Sequence, residues 1–204
     1  MTQQNPYSAP APGQQPPQQK KMSGCLIAII VLVVVGVPML GVMAALGIYG
    51  VRRYLAAAKT AEAKNTVGAI SRAAVAAYEA DTVIAGRPGH RLCSSAVPVP
   101  HAVPPAKKYV PSTIAGQDFN SGSPTAGWTC LRFAMTTPMY YQYHYQQGSG
   151  WVAPSIAPGP DGFEAAAQGD LDGNGITSKF ARTGKVVDGA VALSTELLIE
   201  NEFE

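Results

Sequence analysis

The sequence has few charged side chains, and they are distributed unevenly. Only 14% of the 204 residues are charged, and residues 1–53 contain four basic residues and no acidic one. The rest of the chain holds 11 basic and 13 acidic residues, so the net charge of +2 divides into +4 and −2. Proteins that bind DNA or RNA usually concentrate positive charge on one face. This balance therefore argues against a nucleic-acid partner.

The sequence also lacks the short motifs that mark common catalytic sites. It contains no HExxH pair, no GxSxG turn and no glycine-rich phosphate-binding loop. His90, His101 and His144 are scattered, without the spacing of paired metal ligands. An enzyme is therefore not expected, and no cofactor is expected apart from the candidate calcium site described below.

The N-terminal residues are poor in the side chains that build a core. Residues 1–19 include five prolines and six glutamines, a composition typical of a disordered, partly polyproline segment. We therefore interpret residues 1–22 as a disordered tail or leader. Docking of this segment to an aromatic groove is the alternative to a solvated tail.

A long uncharged segment follows and predicts a transmembrane helix over residues 23–51. Residues 24–51 contain no charged side chain, and a span needs roughly 20 apolar residues. Basic pairs at 20–21 and 52–53 bracket the segment, so the positive-inside rule does not decide the orientation. The short N-terminal segment and a cysteine pair in the C-terminal part favour an N-terminus inside the cell.

Two details of this segment bear on function. Gly41 and Ala45 form a small-xxx-small pair that lets another helix approach closely, although packing against lipid alone is the alternative. Residues 42–44 resemble a signal-peptide cleavage site. The apolar segment, however, is much longer than the roughly 7–15 residues of a signal peptide's hydrophobic region.

The helix is predicted to continue beyond the membrane. Residues 52–80 contain no proline and are rich in alanine, lysine, glutamate and arginine, which are strong helix formers. Val67, Ile70 and Ala74 recur at spacings of three and four, which places them on one apolar face. We expect one helix over about residues 24–80, whose second half is amphipathic and packs against a domain.

That domain is predicted to comprise residues 81–204 and to be mainly β-structure. A proline-rich loop opens it, and short segments of strand character follow, separated by turns rich in Gly, Pro and Asp. The segments are TCLRFAM (129–135), YYQYHY (140–145), GWVA (150–153), GFEAAAQ (162–168), ITSKFART (176–183) and AVALSTELLIENE (190–202). The predicted fold class is α+β, with the long N-terminal helix packed on a small antiparallel sheet.

The three cysteines divide into a pair and a single residue. Cys93 and Cys130 would lie outside the cytoplasm, where a disulfide is favoured. Such a bond would join the proline-rich loop to the start of a strand; two buried thiols are the alternative. Cys25 lies at the membrane face and is expected to be unpaired.

One predicted strand is unusually rich in tyrosine. Alternation places Tyr141, Tyr143 and Tyr145 on one face. We favour the interpretation that this face covers the helix. The alternative is an exposed aromatic surface that binds a sugar, a surface or a neighbouring subunit.

The sequence GDLDGNG at 169–175 is a candidate calcium loop. Asp170, Asp172 and Asn174 stand at alternate positions, as in the first half of an EF-hand loop. The twelfth position is Ala181, so the usual bidentate glutamate is missing. A tight turn between two strands is the favoured interpretation, and a weak calcium site is the alternative.

The order of these features resembles the type IV pilin and pseudopilin family. The segments AKTAEAKN (58–65) and GAI (68–70) are similar to the family's helix just beyond the membrane. The loop at 169–175 and the segment IENE at 199–202 are also similar to pilin-like proteins. The resemblance covers the chain from about residue 22 and implies a membrane-anchored structural subunit of a pilus or related secretion filament.

The resemblance also implies processing and a location. Residues 20–24 resemble the end of a basic leader, with cleavage between Gly24 and Cys25. The fifth residue would then be Ile29, where the family usually has Glu, and Pro38 is not at the family's usual position. The expected location is the bacterial inner membrane, in a single pass with the C-terminal domain periplasmic or extracellular. The expected partners are membrane lipid and other subunits, contacted through the N-terminal helix. The alternative function is a single-pass protein with a periplasmic binding or sensing domain that does not polymerise.

Overall fold

A computed structural model describes residues 23–80, 82–84, 87–152 and 158–204. The predicted tail or leader at 1–22 lies outside these residues. The chain divides into two compact units, Met1–Tyr49 and Gly50–Glu204. The predicted architecture is confirmed: it is α+β, with one long apolar N-terminal helix and a small antiparallel sheet.

Helix α1 extends over Gly24–Glu79 and contains Pro38 in its interior, which confirms the continuous helix predicted from composition. In the first unit its apolar side chains are exposed, and none of the most apolar 18-residue window is buried. By length and composition this helix is a candidate membrane span. A signal sequence near the N-terminus satisfies the same criteria.

In the second unit, one face of α1 forms part of the core. Ala63, Val67, Ile70 and Ala74 are almost completely inaccessible to solvent. Their spacings of four, three and four place them in line along the helix, as the sequence predicts. This line of side chains belongs to the main core cluster of the unit.

The described residues of the second unit form seven strands and one short α-helix after α1. Strands β1 (Thr82–Ile84) and β2 (Arg87–Gly89) form a separate two-stranded antiparallel sheet. The main sheet contains β3 (Tyr141–Gln147), β4 (Gly162–Gly169), β5 (Ser178–Val187), β6 (Ala190–Leu193) and β7 (Leu198–Glu200). The order is β3-β4-β5-β6, all pairs are antiparallel, and β7 pairs with β5 beyond the end of β6.

The tyrosines of β3 face the helix, as the favoured interpretation predicts. Tyr141, Tyr143 and Tyr145 are buried in the same core cluster as the face of α1. Their cross-strand partners on β4 are Gly169, Ala167 and Ala165, respectively. Each large ring thus stands opposite a small residue, and a Cβ added to Gly169 would lie only 2.5 Å from the Tyr141 ring. The alternative of an exposed tyrosine surface is wrong, because these rings fill the space between helix and sheet.

Two segments predicted as strands adopt other structures. The segment 129–135 is not a strand: helix α2 (Gly127–Leu131) includes its first three residues, and Arg132 ends the helix in a left-handed conformation with φ 51°. The indole N–H of Trp128 donates to the Val97 carbonyl (2.7 Å), which anchors this turn in the core. In the segment 150–153, Trp151 and Val152 are not in a strand, and residue 153 lies outside the described residues.

The segment before α2 has little regular structure but protects the edge of the sheet. One 3₁₀ turn at Asp118–Asn120 is its main regular element. Val99 and Tyr143 exchange backbone hydrogen bonds of 3.0 and 2.7 Å, and Ala96 N–H donates to the Tyr145 carbonyl at 2.9 Å. The proline-rich segment therefore pairs with backbone groups at the edge of β3, which could otherwise pair with another chain.

Candidate functional site

The exposed apolar part of α1 is the first candidate functional element. Gly36, Gly41 and Gly47 lie in it, and a Cβ added at any of them would meet no atom within 4 Å. Nothing within the described chain therefore requires glycine at these positions. Ala45 lies one turn after Gly41, so the small-xxx-small pair is presented on a helix whose surface is available to lipid or to another helix.

The candidate processing site lies where α1 begins. Gly24 is the first helical residue, and Cys25 is exposed with a free thiol. The Ser23 carbonyl accepts hydrogen bonds from the backbone N–H groups of Leu26 (2.8 Å) and Ile27 (3.2 Å). The Gly24–Cys25 bond therefore lies in the first turn of the helix.

The predicted disulfide between Cys93 and Cys130 is confirmed, with a Cα–Cα distance of 5.9 Å. Its position differs from the prediction in one respect. Cys130 lies in α2 and not at the start of a strand, so the bond joins the proline-rich segment to this short helix. Ser94, next to Cys93, accepts the Gly127 N–H through its carbonyl and donates its N–H to Thr125. The disulfide and these bonds hold the two segments side by side.

The GDLDGNG segment forms the turn between β4 and β5. Asp170 is buried, and its two carboxylate oxygens accept the N–H groups of Gly173 (2.6 Å) and Gly175 (3.1 Å). Asp172 accepts the backbone N–H of Asn174 at 3.1 Å and its side-chain amide at 3.0 Å. These bonds are those of an Asx-type turn. Among the described residues, no group of three or more His, Cys, Asp or Glu side chains could hold a metal ion. The turn between two strands that the sequence favours is present, and calcium binding stays the untested alternative.

A carboxylate that the sequence analysis did not single out joins α1 to the sheet. Glu62 Oε1 accepts the backbone N–H of Tyr140 (3.0 Å) and the hydroxyl of Tyr143 (3.2 Å). Burial raises the pKa of Glu62, although both hydrogen bonds and the charge of Lys108 act in the opposite direction. The Tyr140 ring lies near the ammonium groups of Lys59 (4.4 Å) and Lys108 (5.0 Å). These hydrogen bonds fix the position of α1, along its axis, relative to the start of β3.

On the opposite face of the sheet, buried polar groups are linked by hydrogen bonds that were also not predicted. The Gln142 amide donates to the Pro100 carbonyl (2.9 Å), and the Gln142 amide oxygen lies 3.0 Å from His144 Nε2. Trp151 packs edge-on against the His144 ring, with centroids 4.1 Å apart. Burial lowers the pKa of His144 to about 3. This histidine is therefore neutral at physiological pH and has a structural role in the described fold.

A buried glutamate holds Trp151 and Val152 on this face of the sheet. Glu164 on β4 is completely buried, and its Oε1 accepts the backbone N–H groups of Trp151 (3.0 Å) and Val152 (2.9 Å). Val152 packs on Ala166 and Ala181 in a small second core cluster. The sequence could not reveal these partners, because the donors are backbone groups of an irregular segment.

The three histidines do not converge on one site. His90 Nδ1 lies 3.0 Å from the Tyr78 carbonyl, near the end of α1, whereas His144 is buried on the sheet. His101 is exposed. The buried polar side chains described here connect elements of the folded unit, and the first part of α1 is left as an exposed apolar helix.

No protein-family model, curated protein or solved structure matches this chain. The part of the chain that the structure describes defines a protein with one candidate membrane span and a small disulfide-bonded α+β unit.

Proposed function

We propose that this protein is a pilin-like, membrane-anchored structural subunit of a type IV pilus or a related cell-surface or secretion filament. The observation that carries the proposal is the division of α1. One continuous helix has an exposed apolar first part and a second part whose apolar face is buried in a folded unit. In the proposed arrangement, the first part lies in the bacterial inner membrane and Gly50–Glu204 lies in the periplasm or outside the cell.

The exposed apolar side chains of α1 are the main energetic support. Large aliphatic or sulfur-containing side chains occupy most positions between residues 26 and 48, and each is more than two-fifths exposed. Full burial of one such side chain contributes about 1.5–3 kcal/mol, so covering the segment is worth on the order of tens of kcal/mol. Lipid or neighbouring helices would supply that cover.

The small residues of the same segment support assembly through the helix. Exchange of lipid contacts for helix contacts changes the hydrophobic free energy little, so close packing decides whether helices associate in a membrane. Gly41 and Ala45 permit such an approach. In a filament, the apolar segments would form the interior, and the disulfide-bonded units would face outward. This role needs no catalytic step.

Shear fractionation of cells tests the proposal. The expected result is release of the protein in filaments, together with loss of release in a Gly41→Leu/Ala45→Leu variant that still reaches the membrane. Val42→Leu is the matched control, because it enlarges a neighbouring exposed side chain that is not part of the small pair. Retention of the wild-type protein wholly in the membrane fraction would show that the filament function is wrong.

A second candidate function is supported by a different observation. Ile29 stands where pilins usually have a glutamate. This difference favours a permanently anchored, single-pass protein with a periplasmic binding or sensing domain. For this function we expect membrane retention after shear, and the Gly41→Leu/Ala45→Leu variant should behave like the wild type.

A further inference from the structure

A cluster of exposed basic and apolar residues follows the uncharged segment of α1 directly. Arg52 and Arg53 are the first charged residues after residue 51. Tyr54 and Leu55 come next on the helix and are 75% and 54% exposed. Neither arginine forms an ion pair within the part of the chain that the structure describes.

A distant part of the chain adds an aromatic side chain to this cluster. The Arg53 guanidinium carbon lies 5.8 Å from the centre of the Phe203 ring, and Phe203 is 47% exposed. Phe203 is separated from Arg53 by most of the folded unit in sequence, so its presence here is a consequence of tertiary structure. An aromatic ring that remains half exposed beside a cation can contact a further partner.

The segment that carries Phe203 is fixed in place on both sides. Glu202 forms an ion pair with Lys64 of α1 at 2.5 Å. Asn201 donates to the Thr177 carbonyl at 3.3 Å, and Glu204 accepts from Asn174 at 3.0 Å. Phe203 therefore lies in a segment whose neighbouring residues are held by hydrogen bonds and an ion pair.

The length of the uncharged segment sets the depth of this cluster in a bilayer. Residues 24–51 are 28 residues, which as a helix extend about 42 Å. A bilayer with its headgroup regions is about 40–45 Å thick. A helix that spans it with this segment places Arg52 and Arg53 at the level of the headgroups. Phe203 lies at the same level, because it contacts Arg53.

We propose that Arg52, Arg53, Tyr54, Leu55 and Phe203 form a membrane-docking surface for the phospholipid headgroups of the bilayer that holds α1. The inference rests on the proposed membrane anchoring and applies to the anchored state. Unpaired arginines attract anionic headgroups, and aromatic rings favour the interface between hydrocarbon and water. The second unit would then be seated on the membrane through a second contact in addition to its helix.

The full-length protein in vesicles of phosphatidylcholine and phosphatidylglycerol tests this surface. A Cys25→Ser background leaves the Cys93–Cys130 disulfide intact, and single cysteines carrying an environment-sensitive fluorophore are introduced by Phe203→Cys or Leu55→Cys. Quenching by nitroxide groups attached to lipid headgroups reports contact with the bilayer surface. Val187→Cys is the matched control, because Val187 is 49% exposed. It is the last residue of β5, whereas β7 pairs near the start of that strand.

Both surface labels are expected to be quenched at least several-fold more strongly than the label at 187. Equal quenching at 203 and 187 would overturn the docking surface. A label introduced by Leu40→Cys, in the middle of the apolar segment, separates the two proposals when lipids carry nitroxides on their acyl chains. If the label at 40 is quenched and the label at 203 is not, the docking surface alone is wrong. If the label at 40 is not quenched, the membrane anchoring is wrong and the docking surface with it.

Discussion

The buried histidine on the sheet predicts how the stability of the folded unit depends on pH. The Gln142 amide nitrogen donates to the Pro100 carbonyl, so the Gln142 amide oxygen faces His144 Nε2 as an acceptor. His144 must then carry its proton on Nε2 and leave Nδ1 bare. Nδ1 is buried and has no hydrogen-bond partner among the residues that the structure describes. Protonation would therefore place a positive charge and an unmatched N–H in the interior.

The size of the effect follows from the two pKa values. Burial lowers the pKa of His144 to about 3 in the folded protein, whereas a histidine in the unfolded chain has a pKa of about 6.5. Between these values the unfolded chain binds more protons, so stability falls as the pH is lowered through this window. From pH 7 to pH 5, His144 alone should cost about 2 kcal/mol. For a unit of this size, that corresponds to a fall in Tm of about 4–8 °C.

Thermal unfolding of the full chain in detergent micelles, followed by tryptophan fluorescence, measures this dependence. His144→Gln should be less stable at pH 7 but should lose about 2 kcal/mol less than the wild type between pH 7 and pH 5. His101→Gln is the matched control, because it makes the same substitution at an exposed histidine. An unchanged pH dependence in His144→Gln would refute the argument from burial and tautomer.

Three further predictions concern the disulfide, the helix junction and the β4–β5 turn. The Cys93→Ala/Cys130→Ala variant should lose about 4 kcal/mol of unfolding free energy in a denaturant titration, from the chain-entropy relation for a sequence separation of 37. Cys25→Ser is the matched control and should lose none. A double variant as stable as the wild type would contradict the stabilising role of the disulfide. The raised pKa of Glu62 means that the folded state binds its proton more tightly, so this group's contribution to stability is lost as the pH rises above about 4.5. Glu62→Gln should therefore gain stability relative to the wild type between pH 4.5 and 7. Glu79→Gln, the same substitution at an exposed position of α1, is the matched control. A stability difference between Glu62→Gln and the wild type that stays constant with pH would show that the Glu62 carboxylate is not desolvated. Millimolar calcium should leave the Tm unchanged, because Asp170 already accepts two backbone N–H groups; a rise that Asp172→Asn abolishes would establish the calcium site.

The elements with strong local patterns could be predicted from the sequence. The apolar spacing at Val67, Ile70 and Ala74 indicates the buried face of α1, and the alternation of β3 indicates which tyrosines face it. The pairing of these tyrosines with Gly169, Ala167 and Ala165 gives a physical reason for the small residues of β4. The disulfide could be predicted because two cysteines remain outside the apolar segment.

The remaining features depend on contacts between distant residues. The segment around Cys130 has strand-like composition, but the Trp128 bond to Val97 and the disulfide hold it as a helical turn. Glu62 and Glu164 accept hydrogen bonds from backbone N–H groups. Every residue except proline has such a group, so the sequence does not indicate which one is the donor. Phe203 beside Arg53 joins residues 150 positions apart, and no periodic pattern indicates that contact.

The mass of the protein recovered from native membranes shows whether α1 remains attached as an anchor. We expect a chain that retains the whole apolar segment and, for a processed pilin-like subunit, begins at Cys25. A chain that begins at Met1 or Thr2 would support the permanently anchored alternative. A chain that begins at Ala45 would contradict membrane anchoring by α1, because cleavage there removes most of the uncharged segment.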